Sequence, residues 1–146
     1  MADEIAGWPL ERLVALSAGS PGQEVCGLLV RIGEAIEAWP VRNVAESPAT
    51  AFELAPLELL AALRRIDQER VELVAVYHSH LAGGADLSGR DLAGALAGGS
   101  PLLPGVAQLV VALEEGRGWR VRVHRWTGSA FEGTEHWPRR LDPAKG

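Results

Sequence analysis

The sequence predicts an α/β domain in which helices flank a mixed central sheet, and two kinds of hydrophobic pattern carry this prediction. Apolar residues recur at helical spacing in two segments, 9–18 and 55–66. Other short runs are rich in β-branched and apolar residues, which favour strands of a covered sheet. These runs are 24–30, 71–77, 106–113 and 119–126. Strands that alternate with helices along the chain are typical of a layered α/β architecture.

The first predicted elements are a helix and a buried strand. Residues 9–18 place three leucines on one helical stripe, and Pro9 suits the first turn of a helix. A Gly-Ser-Pro-Gly sequence at 19–22 ends this helix. The run 24–30 is nearly continuous in apolar residues, which predicts a strand covered on both faces. Glu24 is the only charged residue of this run and stands at its start.

A hairpin and an amphipathic helix are predicted next. Residues 31–34 favour a turn, after which 35–44 forms the returning strand. Pro40 within that strand is typical of an edge strand or a bulge. A helix then begins near Ala55 and Pro56. Its predicted apolar face comprises Leu57, Leu60, Ala61, Leu63 and Ile66.

The second half of the chain begins with the buried run 71–77, which predicts a strand. A glycine-containing loop follows at 81–87, and a short helix is predicted from Ser88 to Ala97. Glycine and proline residues within 98–105 predict a flexible passage. The two remaining strand runs follow it and form the C-terminal part of the predicted sheet.

Length, charge and cysteine content limit what kind of protein this is. A chain of 146 residues with 47% apolar residues predicts one soluble domain, with a core from about 9 to 137 and a mobile tail at 138–146. A formal charge of −5, without a long Lys/Arg block, argues against a nucleic-acid partner. The single cysteine excludes an intrachain disulfide. No signal peptide or membrane-spanning run is evident, so we expect a cytoplasmic protein with no membrane partner.

Two imidazoles and a carboxylate lie close together in the sequence, at His78, His80 and Asp91. Residues two apart in a strand face the same side, so both histidines would point together. Zinc accepts imidazole nitrogen and carboxylate oxygen, and catalytic zinc sites typically keep three protein ligands and one open position. These residues fit that count. Asp86 is a competing third ligand, but Asp91 is preferred because it lies in the first turn of a helix, where the backbone is ordered.

A purely structural interpretation of the same residues is also open. Ser88 and Asp91 before an apolar run form the pattern of a helix capping box, and paired histidines occur on strands by chance. The two interpretations are compatible, because the positive end of the helix dipole favours an ionised Asp. From the residue pattern alone, Glu24 is expected to be a solvated residue at the start of the strand. Cys26 is expected to be a buried thiol inside an apolar strand and not a nucleophile.

The spacing His78-x-His80, seven residues, Ser88, two residues, Asp91 resembles the H-x-H-x7-S-x2-D signature of the JAMM (MPN+) metalloisopeptidases. The segment 23–29, Gln-Glu-Val-Cys-Gly-Leu-Leu, resembles the E-x-C-G-L-L form common in small prokaryotic members. The likeness extends over roughly residues 10 to 135. In two places the chain departs from the family, which usually has proline after the second His and before the Ser. Here these positions are Leu81 and Leu87, which are not ligands but belong to the intervening loop.

The resemblance implies an MPN fold, which is cytidine deaminase-like, and a zinc-dependent hydrolase. It implies that His78, His80 and Asp91 bind zinc (Zn2+) and that Glu24 is the general base. Ser88 would either donate a hydrogen bond to the oxyanion or act only as the helix N-cap.

The resemblance also implies a class of substrate. This is the amide or isopeptide bond after the C-terminal glycine of a ubiquitin-like or sulfur-carrier β-grasp protein that ends in Gly-Gly. A homodimer is left open, because the sequence does not define the oligomeric state. The alternative to an enzyme is a non-catalytic MPN scaffold that binds protein partners, although such relatives lack the ligands that are present here.

Overall fold

The structure is a computed structural model of the chain, and it describes residues 7–114 and 116–135. The predicted core boundary at 137 and the predicted tail 138–146 lie outside the described residues. The helices are α1 (Leu10–Ala18), α2 (Pro56–Glu69) and α3 (Gly89–Ala95). The strands are β1 (Cys26–Ile32), β2 (Ala35–Val41), β3 (Glu72–His80), β4 (Leu96–Ala97), β5 (Ser100–Pro101), β6 (Ala107–Glu114), β7 (Gly118–Trp126) and β8 (Phe131–Glu135).

Six of these strands form one mixed sheet in the order β2-β1-β3-β6-β7-β8. The β3–β6 pair is parallel, and the other neighbours are antiparallel. The predicted α/β class with a mixed central sheet flanked by helices is confirmed. Pro40 lies in β2, an edge strand of this sheet, as its lack of a backbone donor favours.

Each face of the sheet has its own hydrophobic cluster. Leu13 and Val14 of α1 pack on one face, in a cluster that includes Leu29 and Tyr77. Helix α2 covers the other face, where Leu28 is fully buried. The histidines of the motif lie on the α2 face, because residues of β3 alternate between the two sides. The candidate site therefore lies on the face of the sheet that α2 covers.

The predicted apolar face of α2 is wrong in part. Leu57 is 81% exposed and Leu60 is 43% exposed, whereas Leu59, Ala62 and Ile66 pack against the core. Both stripes are apolar and helically spaced, so periodicity alone could not choose between them. None of the described helices is long and apolar enough to span a membrane.

The passage predicted to be flexible at 98–105 contains part of a small hairpin. Strands β4 and β5 pair through Leu96 and Ala97, joined by Gly98 and Gly99 at φ values of 61° and 84°. Two consecutive residues at positive φ are typical of a type I′ hairpin turn, which glycine adopts without strain. The helix before it is accordingly shorter than predicted and ends at Ala95 instead of residue 97.

Candidate metal centre

The candidate site forms where the start of β1 meets the end of β3. The two strands are antiparallel with Cys26 opposite His78, so two residues earlier Glu24 comes level with His80. Outside the regular ladder, Val25 N donates to Ser79 Oγ at 2.8 Å and Ser79 N donates to Val25 O at 2.9 Å. These bonds hold the segment with Glu24 against the histidine strand.

Three potential ligand atoms converge at the end of β3 and the start of α3. His78 Nε2 lies 3.1 Å from His80 Nε2, and Asp91 Oδ2 lies 3.1 Å and 3.0 Å from these two nitrogens. Zinc bonds of about 2.0–2.1 Å in a tetrahedral site place ligand atoms about 3.4 Å apart. The three atoms are therefore close to the separation that a zinc ion needs, and the donor set is one that zinc accepts.

The contacts of the second ring nitrogen differ between the two histidines. His80 Nδ1 lies 2.7 Å from Gly84 O, so Nδ1–H donates to this carbonyl, and in the neutral ring Nε2 carries the lone pair that a metal would bind. His78 is fully buried and stacks on Phe52 at 4.2 Å between ring centroids. Within the described part of the chain, His78 Nδ1 has no hydrogen-bond partner.

The protonation states follow from the same contacts. Burial lowers the pKa of His78, which favours the neutral ring that a metal requires. Burial would also lower the pKa of His80, but the hydrogen bonds to Asp91 and Gly84 outweigh it and the pKa is raised. Burial would raise the pKa of Asp91, but the two imidazoles hold it well below its usual range. Asp91 is therefore a carboxylate at neutral pH.

Ser88 and Asp91 also form a complete capping box. Asp91 N donates to Ser88 Oγ at 3.0 Å, and Ser88 N donates to Asp91 Oδ2 at 2.9 Å. The cap uses only a lone pair of the Ser88 hydroxyl, and no described group accepts its proton. Capping and donation to an oxyanion therefore do not exclude each other, contrary to the choice posed from sequence.

Glu24 is buried beside these ligands, with only 4% of its surface exposed. Its ligand oxygen and those nitrogens of His78 and His80 that could bind a metal all lie within 4.8 Å of one another. Asn43 Nδ2 donates to Glu24 O at 2.9 Å, which fixes the backbone, while Glu24 Oε1 has no partner among the described residues. Burial raises the pKa of Glu24 to about 7, Asp91 also raises it, and His80 partly opposes the shift.

The other candidate residues do not belong to the ligand cluster. Asp86 Oδ1 accepts from Arg122 Nη1 at 2.7 Å and its side chain is 75% exposed, so it is not part of the ligand cluster. Cys26 donates its S–H to Val41 O at 3.3 Å, and burial raises the pKa of its thiol to about 12. A thiol with that pKa is protonated at neutral pH and is a poor nucleophile. His124 is buried, but it contacts Ala85 O and not the cluster.

A cavity of about 820 Å³ opens beside Asp91 and Phe52. Residues 44–46 and 51–54 contribute to one side of its lining, and residues 93–95 of α3 with Leu102 contribute to another. No sequence pattern indicates this cavity, because it depends on how α3 and residues 102–103 approach the segment after β2.

The fold and the candidate site can be compared with those of known protein families. The family described as prokaryotic homologs of the JAB domain matches residues 10–126, and the chain belongs to this family. The predicted identity as a small prokaryotic JAMM/MPN member is thereby confirmed.

Particular relatives are also similar to this chain. A desampylase of Haloferax volcanii is 34% identical over 118 residues, which cover 79% of this chain and 78% of that protein. A desampylase of Pyrococcus furiosus is 37% identical over 84 residues, 57% of this chain and 59% of that protein. A protein of Thermus thermophilus named "probable TtuB-protein conjugate cleaving protease" is 47% identical over 53 residues, 36% of each chain.

Solved structures show the same fold. A protein of Desulfitobacterium hafniense, solved in solution, superposes with a TM-score of 0.65 at 24% identity and covers 86% of this chain and 84% of its own. A protein of Salinibacter ruber does so with a TM-score of 0.55 at 22% identity, over 92% of this chain and 88% of its own.

Proposed function

We propose that this chain is a zinc metallopeptidase of the JAMM type. It hydrolyses the amide or isopeptide bond after the C-terminal glycine of a ubiquitin-like or sulfur-carrier β-grasp protein. The observation that carries the proposal is the convergence of three ligand atoms at 3.0–3.1 Å beside a buried glutamate. The names of the relatives, desampylase and conjugate cleaving protease, support the same chemistry.

His78, His80 and Asp91 would hold the zinc ion in this proposal. Zinc in such a site supplies Lewis-acid polarisation of a carbonyl and lowers the pKa of water toward neutrality. The protein contributes a carboxylate that is already ionised, one imidazole kept neutral by burial and one ring oriented by Gly84 O. Each feature prepares a lone pair for the metal.

Glu24 would carry the proton between water and the leaving amine. A general base works best when its pKa lies near the operating pH, because it can then both take and release a proton. Burial brings the pKa of Glu24 to about 7 in the metal-free chain. Its Oε1 has no hydrogen-bond partner among the described residues, so the atom is not committed to a structural role.

Ser88 would stabilise the charge that develops on the carbonyl oxygen. Donors aimed at a developing oxyanion lower the barrier because they act where charge appears. The Ser88 backbone is held by the capping box, while the hydroxyl proton is not used there. The cap therefore orients the donor without consuming it.

The cavity supports an extended tail of small residues as the substrate group. It begins at Asp91 and is lined along α3 by Ala93, Gly94 and Ala95, which leave space near the helix backbone. A volume of about 820 Å³ suits a short peptide segment and not a folded domain. A C-terminal Gly-Gly sequence would reach the ligand cluster with the least steric hindrance.

The test uses fusions of a β-grasp protein to a reporter through a Gly-Gly or an Ala-Ala junction. The zinc-loaded chain should cleave the Gly-Gly fusion, and cleavage should stop when the metal is removed. The Glu24→Gln variant should cleave about 10²- to 10⁴-fold more slowly. The matched Glu72→Gln variant should cleave at the wild-type rate, because Glu72 is exposed and pairs with Arg31 at the other end of the same strand pair. Equal cleavage of both junctions would contradict the glycine channel. Zinc binding with no cleavage of any fusion would favour the scaffold alternative.

The cytoplasmic location and the homodimer stay predictions.

A further inference from the structure

The loop 81–87 joins the two histidines of β3 to the start of α3. It supplies Gly84 O, which accepts from His80 Nδ1 at 2.7 Å. Gly83 and Gly84 have φ values of 90° and 81°, and a Cβ at either position would meet nothing within 4 Å. Glycines in open space lose much conformational entropy on ordering, so the path of this loop requires other contacts to define it.

Those contacts come from two side chains of β7. His124 Nε2 lies 3.0 Å from Ala85 O, so the ring N–H donates to this buried carbonyl. Arg122 Nη1 donates to Asp86 Oδ1 at 2.7 Å. Three consecutive loop residues, 84 to 86, are thus each held by a side chain, and two of these side chains come from β7.

The edge strand β8 is shaped to place these two side chains. Gly133 lies opposite His124, and a Cβ there would stand 2.7 Å from two atoms of the imidazole ring. Arg122 Nη2 also donates to Gly133 O at 3.3 Å. Glycine at this position therefore lets the ring lie across β8, and its carbonyl orients the guanidinium.

We propose that His124 and Arg122 are positioning residues for the metal centre. They fix the loop so that Gly84 O keeps its bond to His80 Nδ1, and this bond keeps the Nε2 lone pair directed toward His78 and Asp91. Neither side chain touches the ligand atoms; both act through the loop. The inference rests on the proposed function for the metal, but it makes a separate statement about how the site is held.

The experiment compares His124→Leu, His124→Gln and Arg122→Gln with the wild type. Leucine removes the donor while filling apolar space, and glutamine retains an N–H near the position of Nε2. Arg120→Gln is the matched control, because Arg120 is on the same strand and pairs with Glu135 at 2.9 Å and Glu114 at 3.6 Å without touching the loop. The readouts are the zinc dissociation constant, measured by competition with a chromophoric chelator, and amide hydrogen exchange of residues 81–87.

We expect His124→Leu to weaken zinc binding about tenfold, the lower end of the range for loss of a partner that contacts a ligand directly. Hydrogen exchange at 81–87 should accelerate, and His124→Gln should restore most of both properties. Arg122→Gln should act in the same direction, and because its side chain is 33% exposed it serves if His124→Leu does not fold. Arg120→Gln should leave both properties unchanged.

Wild-type zinc affinity and wild-type exchange in both His124→Leu and Arg122→Gln would overturn the inference. An equal loss in Arg120→Gln would also overturn it, because the effect would then belong to β7 in general. The outcome is independent of substrate: weakened zinc binding in a protein that cleaves no conjugate would uphold the positioning role while refuting the proposed function.

Discussion

Replacing Glu24 by Gln separates the chemistry from metal binding. The substitution keeps the shape of the side chain but removes the group that would take the proton. Loss of a general base costs about 10²- to 10⁴-fold in rate, which corresponds to about 3–5 kcal/mol of barrier. Zinc should remain at wild-type stoichiometry, because the three atoms at 3.0–3.1 Å belong to His78, His80 and Asp91.

The assay measures zinc stoichiometry beside single-turnover cleavage in four proteins. These are the wild type, Glu24→Gln, His80→Ala and the control Glu72→Gln. His80→Ala should lose both zinc and rate, since two ligands do not hold a stable site. A near-wild-type rate in zinc-loaded Glu24→Gln would refute the role of Glu24 as the base. Loss of zinc in that variant would instead identify Glu24 as a ligand. Its carboxylate oxygen is close enough for this, because it lies within 4.8 Å of the ligand nitrogens of both histidines.

The raised pKa of Glu24 predicts a pH dependence of stability in the metal-free chain. Folding raises the pKa of Glu24 from 4.5 to about 7, so the folded state favours the protonated carboxyl. The resulting stabilisation is complete below pH 4.5 and is lost as the pH rises through about 7. Such a shift corresponds to about 3 kcal/mol. Denaturant unfolding at pH 5 and pH 8 with a chelator present should therefore show a larger loss in the wild type than in Glu24→Gln. Equal losses of unfolding free energy in the two proteins would mean that folding does not raise the pKa of Glu24.

Four further substitutions test the ligand, the cap and the strand packing. Asp91→Ala should lose stoichiometric zinc, whereas Asp86→Ala should still bind one zinc ion, with its affinity lowered only as in Arg122→Gln because it removes the same ion pair; metal analysis of the purified variants decides this, and the reverse result would overturn the assignment. Ser88→Ala should lower stability by about 1 kcal/mol through the lost cap and single-turnover rate by about 10²-fold through the lost donor; a change in stability alone would leave the residue as a cap. Gly27→Ala should destabilise the fold strongly, because a Cβ there would clash with the backbone carbonyl oxygen of Trp39 in β2 and would stand 2.5 Å from the Tyr77 hydroxyl of β3; a wild-type melting temperature would show that β1 can move away from both neighbours.

The convergence of His78, His80 and Asp91 was largely predictable because these residues are close in sequence. His78 and His80 share a strand, and Asp91 follows after one loop, so strand alternation and helix-start chemistry place all three. The position of Glu24 beside the two histidines was not predictable from those rules. Its proximity depends on the antiparallel register of β1 with β3, and only the family resemblance indicated it.

Other features lay beyond sequence patterns for identifiable reasons. Helix α2 has two apolar stripes, and the residues of the core cluster decide which one packs: Leu59, Ala62 and Ile66 contact that cluster. Strand β8 has the sequence Phe-Glu-Gly-Thr-Glu, which shows no alternation because the edge of a sheet buries little of it. The β4–β5 hairpin has only two residues in each strand, too few for a periodic signal.

Leu81 and Leu87 belong to the loop 81–87, which must be ordered for His80 and Asp91 to lie together. The family usually has prolines at these positions, and proline orders a loop by restricting the unfolded chain. Leu87 instead packs, half-buried, on a small cluster formed by Ala85, Val110 and Ala112. Burial of a leucine side chain stabilises by about 1.5–3 kcal/mol when complete, which compares with about 0.4–1 kcal/mol for a favourable proline. Together with the bonds from β7, this packing gives the loop a defined path without the prolines, so their replacement is compatible with an ordered metal site.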